Sequence, residues 1–325
     1  MRILSILLFI TLVPQGPQAW KRQLKLMGSR FEITVVASDQ QQANAWIDLA
    51  VKEITRIEKI ISSWDAASET SEINRQAGIR PVGVSSELFD LISRCIRLSE
   101  ITDGAFDISY ASMDQVWKFD GSMEKMPEEA EIQKSVRKVG YRNILLDPAR
   151  QTVFLKEPGM KIGFGAVGKG FAADRARKLL LQEGAPGGII NASGDMTVWG
   201  HQPDGTPWQV AITNPLDKTR SFGTLPVEDG AVVTSGNYEK FVTFNGKRYS
   251  HIIDPRTGYP VEGIASVTVF APGAELADAL STAIFVMGID TGLYLADQMK
   301  GVECLIVDET GKLFASEKLS IKPKE

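Results

Sequence analysis

The stretch Gly163-Phe164-Gly165-Ala166-Val167-Gly168-Lys169-Gly170 restricts the fold more than any other in the chain. Closely spaced glycines ahead of a helical pattern demand a tight strand-to-helix turn. They also satisfy two phosphate-binding patterns at once, G-x-G-x-x-G and G-x-x-x-x-G-K. Both patterns work alike: without Cβ atoms, backbone N–H groups can approach a phosphate at a helix N-terminus. Position 170 is Gly, however, where a P-loop needs a hydroxyl for its magnesium. The turn is compatible with a nucleotide phosphate nearby but not with an ordinary Rossmann or P-loop fold. A plain tight turn and a phosphate cradle stand level.

The surrounding periodicities set the class. Phe31, Ile33 and Val35 alternate with Glu32 and Thr34, a half-buried strand. Ala43, Trp46, Ile47, Ala50, Ile54, Ile57 and Ile61 then recur at helical spacing, which predicts an amphipathic helix over 41–62. A polar stretch, 63–78, carries Trp64. A second helix follows over 86–101, with Leu88, Phe89, Ile92, Cys95 and Ile96 inward and Asp103-Gly104 as its stop. Residues 116–150 are polar and charged, with a short helical pattern near 128–139, and read as an insertion or lobe boundary. Beyond Gly140 the texture changes to short strands: a hairpin of 143–146 with 152–155, then 188–191, 208–212, 231–234 and 241–244. The glycine turn opens a helix over 171–182. Asn245-Gly246 is a hairpin signal, 266–270 is a further strand, 275–287 a helix, and 308–311 a terminal hairpin turn. Strands and helices mix without β-α-β alternation, so the class is α+β, with mixed elements in two closely packed lobes.

Composition excludes more than it selects. Hydrophobic residues make up 43% and charged residues 23% of 325 positions, ordinary values for a globular protein. Thirty-six Lys and Arg against 40 Asp and Glu leave a net charge of −4, without the basic footprint of a nucleic-acid binder. Two cysteines, Cys95 and Cys304, build neither a disulfide scaffold nor a four-Cys zinc site. At the start, Arg2 and the apolar run Ile3–Val13 suit a signal-peptide core, being shorter than the roughly 20 residues of a bilayer span. Helix breakers follow, and Ala19 offers a small residue for cleavage. The reading is a signal peptide over 1–19, a folded domain over 20–325, and an exported, periplasmic or cell-envelope location. An uncleaved anchor is the alternative; no cysteine follows for a lipid.

Three further segments could carry chemistry. Asn191-Ala192-Ser193-Gly194-Asp195 is a small polar turn after an apolar strand, either a hydrogen-bonded loop near a ligand or a plain turn, and by itself the plain turn is favoured. Tyr249-Ser250-His251-Ile252-Ile253-Asp254-Pro255-Arg256-Thr257-Gly258 gathers a histidine, a carboxylate and an arginine at a strand end. There His251 is either a proton-handling group or a satisfied core histidine, and Asp254 either a partner or a turn cap. Asp278 and Thr282 lie four apart on one face of an otherwise apolar helix. Burying them is costly unless they bind something, and a hard cation with oxygen ligands suits them. Alternatively Thr282 bonds back to the Asp278 carbonyl and the carboxylate is solvated.

In this order, Met27-Gly28, Thr102-Asp103-Gly104-Ala105-Phe106-Asp107, the Gly163–Gly170 turn, Asn191–Asp195, Thr234-Ser235-Gly236, Ser250–Pro255 and Ala277–Ala283 resemble the ApbE family of bacterial flavin transferases over nearly the whole mature chain. The resemblance implies an ApbE-like fold and a Mg²⁺-dependent transfer, with Mn²⁺ as the other metal, in which FAD is the substrate. A Thr or Ser hydroxyl of a target protein attacks the FMN-side phosphorus, AMP leaves, and FMN stays attached as a phosphoester. The implied partners are flavin subunits with a Ser/Thr-Gly-Ala-Thr acceptor, as in sodium-pumping quinone reductase and related electron-transfer domains, near the membrane surface.

Carried over by residue, Asp278, Thr282 and the Ala166 carbonyl match the metal ligands. Met27, Trp64, Ala105, Phe106, Asp107, Lys169 and Ile253 match FAD-lining positions. His251 is the expected proton-handling group and Asp254 its orienter or substitute. Gly163 departs from the family's usual Asp, so the resemblance does not carry over a flavin or ribose contact there, while the metal site is unaffected. The alternatives are an FAD pyrophosphatase, releasing FMN and AMP to water, and a flavin-binding protein without turnover.

Overall fold

The computed structural model describes residues 16–113, 116–238 and 240–319. It opens with an antiparallel hairpin of β1 (Gln18–Leu26) and β2 (Ser29–Ala37), running from Gln18↔Ala37 to Leu26↔Ser29. Met27 and Gly28 turn it with φ of 50° and 69°. β1 carries only half-buried residues on its inner side, Trp20, Arg22, Leu24 and Leu26, so its hydrophobic signal is faint. Because Gln18 and Ala19 already pair in this strand, the expected leader boundary at Ala19 overlaps its first two residues. The apolar run 3–13 lies outside the described residues.

α1 (Gln40–Ile61) starts where the Asp39 carboxylate accepts the Gln42 N–H, and it buries Ala43, Ile47, Ala50, Ile54, Ile57 and Ile61 along one stripe. The polar stretch after it contains a short helix, α2 (Glu69–Arg75), capped by Ser68. β3 (Val82–Gly83) and α3 (Ser86–Ile101) follow; Asp103 and Gly104, with φ of 47° and 74°, stop α3. Then come α4 (Glu129–Val136), β4 (Ile144–Asp147) and β5 (Thr152–Leu155). β4 and β5 form the expected hairpin, with β3 on the free side of β5. Tyr141 and Ile144 join the principal core, whereas Trp117 and Ile132 join Val242 and Ile253 in a satellite cluster. The core therefore continues through the segment read as a lobe boundary.

α5 (Gly168–Gln182) begins three residues before its expected start. Next are β6 (Gly187–Ala192), β7 (Asp195–Gly200), β8 (Trp208–Asn214), β9 (Asp217–Val227), β10 (Gly230–Gly236), β11 (Phe241–Phe244), β12 (Lys247–Ser250) and β13 (Ile264–Ala271). α6 (Ala274–Met287), α7 (Ile289–Gln298), β14 (Glu303–Asp308) and β15 (Leu313–Ala315) complete the chain. The sequence reading lacked β1, β3, β7, β9, α2 and α7. Asn245 and Gly246, with φ of 50° and 76°, turn β11 into β12 as expected.

One antiparallel sheet in the order β1-β2-β6-β7-β10-β13-β14-β15 organises the molecule. α5 packs between α1 and α6, and all three helices pack against the sheet strands. On the opposite face, Trp208 and Val210 of the β8–β9 hairpin cover Val36, Val198 and Val232. Both faces of the sheet are thus buried, and the class is α+β. Cys95 and Cys304 are free and fully buried, and burial pushes both thiols up.

The crossing of α5 over the start of α6 is unusually close. A Cβ on Gly170 would lie 2.2 Å from the Ala274 carbonyl oxygen, and one on Gly168 would lie 2.9 Å from Ile61 Cδ1. The hydroxyl missing from the P-loop pattern is therefore missing for steric reasons. Gly170→Ala is expected to destabilise the protein by about 1–3 kcal/mol in urea unfolding. Gly165→Ala, with nothing within 4 Å of a Cβ, should stay within about 0.5 kcal/mol of the parent.

Candidate active site

A cleft of 460 Å³ opens where the N-terminus of α5, the end of β10 and one face of α6 meet. Asp278 lies at its floor, 5% exposed, with Oδ2 accepting the Gly170 N–H at 3.1 Å. Burial, and then the nearby Asp195 charge, push its carboxyl up to about 7; Lys169 and the Gly170 N–H oppose the shift. The solvated-carboxylate alternative is thereby removed. The bond back to the Asp278 carbonyl is made by Ser281 Oγ at 2.9 Å rather than by Thr282. Ser281 Oγ lies 2.8 Å and Thr282 Oγ1 3.4 Å from Ser235 Oγ. Thr282 lines the cleft beside Asp278.

Lys169, in the first turn of α5, forms an ion pair with Asp195, whose side chain is 5% exposed. Asp195 is the residue that the sequence reading missed. Its only signal was the Asn191–Asp195 turn, which looks the same whether or not it serves a site. In the structure Ser193 and Gly194 take φ of 60° and 106°, and Asn191 Oδ1 accepts the Gly194 N–H at 2.7 Å. This compact turn aims the start of β7 into the cleft.

Asp278, Thr282 and Ala166, the three positions that match the family's metal ligands, line the same cleft. No group of three or more His, Cys, Asp or Glu able to hold a metal occurs among the described residues. A cation here would be held by one carboxylate, a hydroxyl and a backbone carbonyl. This donor set fits a hard divalent ion: all donors are oxygens, and a buried carboxylate beside a second carboxylate gains from a cation.

Ala105, Phe106 and Asp107 also line the cleft. The Asp107 carboxylate itself is committed to structure: Oδ1 accepts the N–H and hydroxyl of Ser109 at 2.7 and 2.6 Å, and Oδ2 the Tyr141 N–H at 2.8 Å. Burial nonetheless raises its pKa against these bonds. Trp64 stands at the rim, 87% exposed, between the cleft and an adjoining groove. Ile253 is buried in the wall shared by the two. Met27 is not among the cleft-lining residues: its Cε lies 3.8 Å from the place of a Cβ on Gly168, in the packing behind the helix start. Gly163 is crowded, with Ala111 Cβ only 3.0 Å from a would-be Cβ.

His251 lines the cleft half-buried, with its ring edge-on to Phe119. Its Nδ1 lies 3.2 Å from the Lys240 carbonyl oxygen. A carbonyl only accepts, so this contact places the hydrogen on Nδ1 and makes Nε2 the basic nitrogen of the neutral ring. Asp254, expected as orienter or substitute, is engaged with Arg256 instead. Its carboxylate holds Arg256 through Nε and Nη2, both at 2.9 Å, and accepts the Arg256 backbone N–H, closing the turn outside the cleft. The Nδ1 contact of the histidine is to a backbone carbonyl.

A model described as the ApbE family matches residues 27–306 of the chain. A protein of Klebsiella pneumoniae named FAD:protein FMN transferase is 30% identical over 293 residues, covering 90% of each chain. A Salmonella typhimurium protein of the same name is 31% identical, covering 84% of this chain and 80% of its own length. Among solved structures, the crystal structure of the ApbE protein from Thermotoga maritima superposes with a TM-score of 0.84 at 33% identity, covering 92% of this chain and 97% of that one. The flavin transferase ApbE from Vibrio cholerae gives 0.81 at 26%, covering 93% and 98%.

The raised Asp278 pKa fixes a sign. A carboxyl whose folded value of about 7 exceeds its ordinary value of 3.8 binds extra protons when folded, so it costs stability as pH rises between those values. Asp278→Asn removes that cost and keeps an oxygen for the Gly170 N–H. In thermal melts without ligands or metal, the Asn variant should melt above the parent, by a margin that grows from about pH 4 to about pH 7 and then levels off.

Proposed function

The chain belongs to the ApbE family, and on that premise we propose that it is a metal-dependent FAD:protein FMN transferase. In this reading it moves FMN from FAD to a Ser or Thr hydroxyl of a redox protein and releases AMP. The observation that carries the reading is the floor of the cleft, where Asp278, Thr282 and the Lys169–Asp195 pair converge at a helix N-terminus opposite His251.

The residues divide the work as follows. Asp278, Thr282 and the Ala166 carbonyl would hold Mg²⁺ or Mn²⁺, which when bound supplies charge neutralisation at the diphosphate. Lys169 adds a positive charge at the start of α5, where the backbone N–H groups also favour an anion. Ala105 to Asp107 and Ile253 supply a wall for the nucleotide, and Trp64 at the rim offers an aromatic face for a ring. The acceptor hydroxyl is a weak nucleophile, and His251 Nε2 takes its proton as the new O–P bond forms. The bond from that phosphorus to the bridging oxygen breaks, and the electron pair leaves with AMP. Lys240 holds the imidazole in the tautomer this step needs.

The proposed acceptors are flavin-carrying subunits with a Ser/Thr-Gly-Ala-Thr segment, such as those of sodium-pumping quinone reductase and related electron-transfer proteins. An exported location, at the periplasmic face of the membrane, belongs to the same proposal and rests on the apolar run 3–13.

The test incubates the purified chain with FAD, Mg²⁺ and an acceptor domain and reads the acceptor's intact mass. A gain equal to FMN, lost with Asp278→Ala, is the expected outcome. Steady AMP release with no gain would instead make the protein a pyrophosphatase, and bound FAD with neither product a carrier. A second series separates the two proton-handling candidates. His251→Ala should lower turnover by about 100- to 10,000-fold with FAD affinity retained, whereas Asp254→Asn should cost less than about tenfold, because its carboxylate serves the turn.

A further inference from the structure

We propose that Asp195 is a positioning residue that makes FAD binding depend on a divalent cation, by holding Lys169 to the cleft wall and keeping the cleft floor negative. This inference rests on the transferase reading and deepens it.

Lys169 is the cation of the α5 N-terminus and lines the cleft with the carboxylates Asp195 and Asp278. Its ammonium group is in direct contact with Asp195 Oδ2. Asp195 cannot easily withdraw. It is the first residue of β7, in register with Ala192 of β6 across the Ser193-Gly194 turn, and its side chain is almost completely buried. The Asp195 charge is also felt at Asp278, where it opposes ionisation.

The charge count follows. With both carboxylates ionised, Lys169, Asp195 and Asp278 sum to one negative charge in a partly desolvated floor. A dianionic diphosphate approaching that floor is repelled, and Lys169 is held by its partner. A divalent cation at Asp278 reverses the sign and favours the same diphosphate. Without the charge on Asp195, these three groups would sum to zero and the Lys169 charge would face the dinucleotide without that counter-charge. Asp195 therefore trades metal-free affinity for FAD against an ordered, metal-linked entry.

Two binding constants test this. FAD binding is measured in EDTA by flavin fluorescence, and Mn²⁺ binding in the absence of FAD by electron paramagnetic resonance. Asp195→Asn should tighten metal-free FAD binding by about tenfold and weaken Mn²⁺ binding by about tenfold, the effect of one unit charge at close range. Lys169→Gln should move both constants the opposite way, which keeps the test decisive if the first variant does not fold. Asp195→Glu, which retains the charge, should restore the parental pattern. A merely structural Asp195 could not tighten FAD binding. Unchanged constants in Asp195→Asn, or weaker FAD binding as in Lys169→Gln, would overturn the proposal. Flavin transfer by the parent is assayed alongside: its failure sinks the transferase reading, whereas the two constants judge Asp195.

Discussion

The site depends on one close contact between two helices. α5 crosses the start of α6 so tightly that position 170 has no room for a Cβ, and the Gly170 N–H points at Asp278 Oδ2. That single hydrogen bond ties the helix that presents Lys169 to the helix that presents Asp278 and Thr282. A free N–H of the first helical turn is satisfied by a carboxylate from the neighbouring helix. The glycine pattern that looks like a phosphate loop is in large part the imprint of this crossing. Its two roles are compatible, because a bare backbone is what both a close helix and an anion require.

Around that contact the protein assembles an electrostatically expensive floor. Asp278 is buried, with Asp195 close enough to oppose its ionisation, and Lys169 offsets only part of the charge. A globular protein gains nothing in stability from such an arrangement, and perturbed carboxylates in a cleft are a mark of binding or catalysis. The scaffold that supports it is ordinary: an eight-stranded antiparallel sheet with α1, α5 and α6 on one face and a covering hairpin on the other.

The long amphipathic elements were legible because their periodicity is set by burial on one side. α1, α3 and α6 fall within a residue or two of where their apolar stripes put them. β1 and β9 were not legible. β1 has only half-buried residues on its inner side, and β9 depends on its partner β8 for its place. α7 follows α6 after a single glycine, Gly288, with φ of 86°, so the two merge into one apolar stretch in the sequence. In the site, Asp278, Thr282 and Lys169 could be named from the helix pattern and the glycine turn. Asp195 could not, because a polar turn has the same composition whether it faces solvent or a cleft.

His251 and Asp254 show where the sequence stops. Spacing along the chain identified a histidine and a carboxylate three residues apart at a strand end, and both types suit proton transfer. Which way each side chain points depends on the chain around it: Lys240 fixes the His251 ring, and Arg256 captures Asp254 on the far side of the turn. The sequence by itself determined the α+β class, the glycine turn and the identity of the residues able to do chemistry, since these follow from local propensity and hydrophobic period. Only the tertiary structure decided which of them share a cleft and which charges face one another, because desolvation and Coulomb interaction depend on distances that no local pattern encodes.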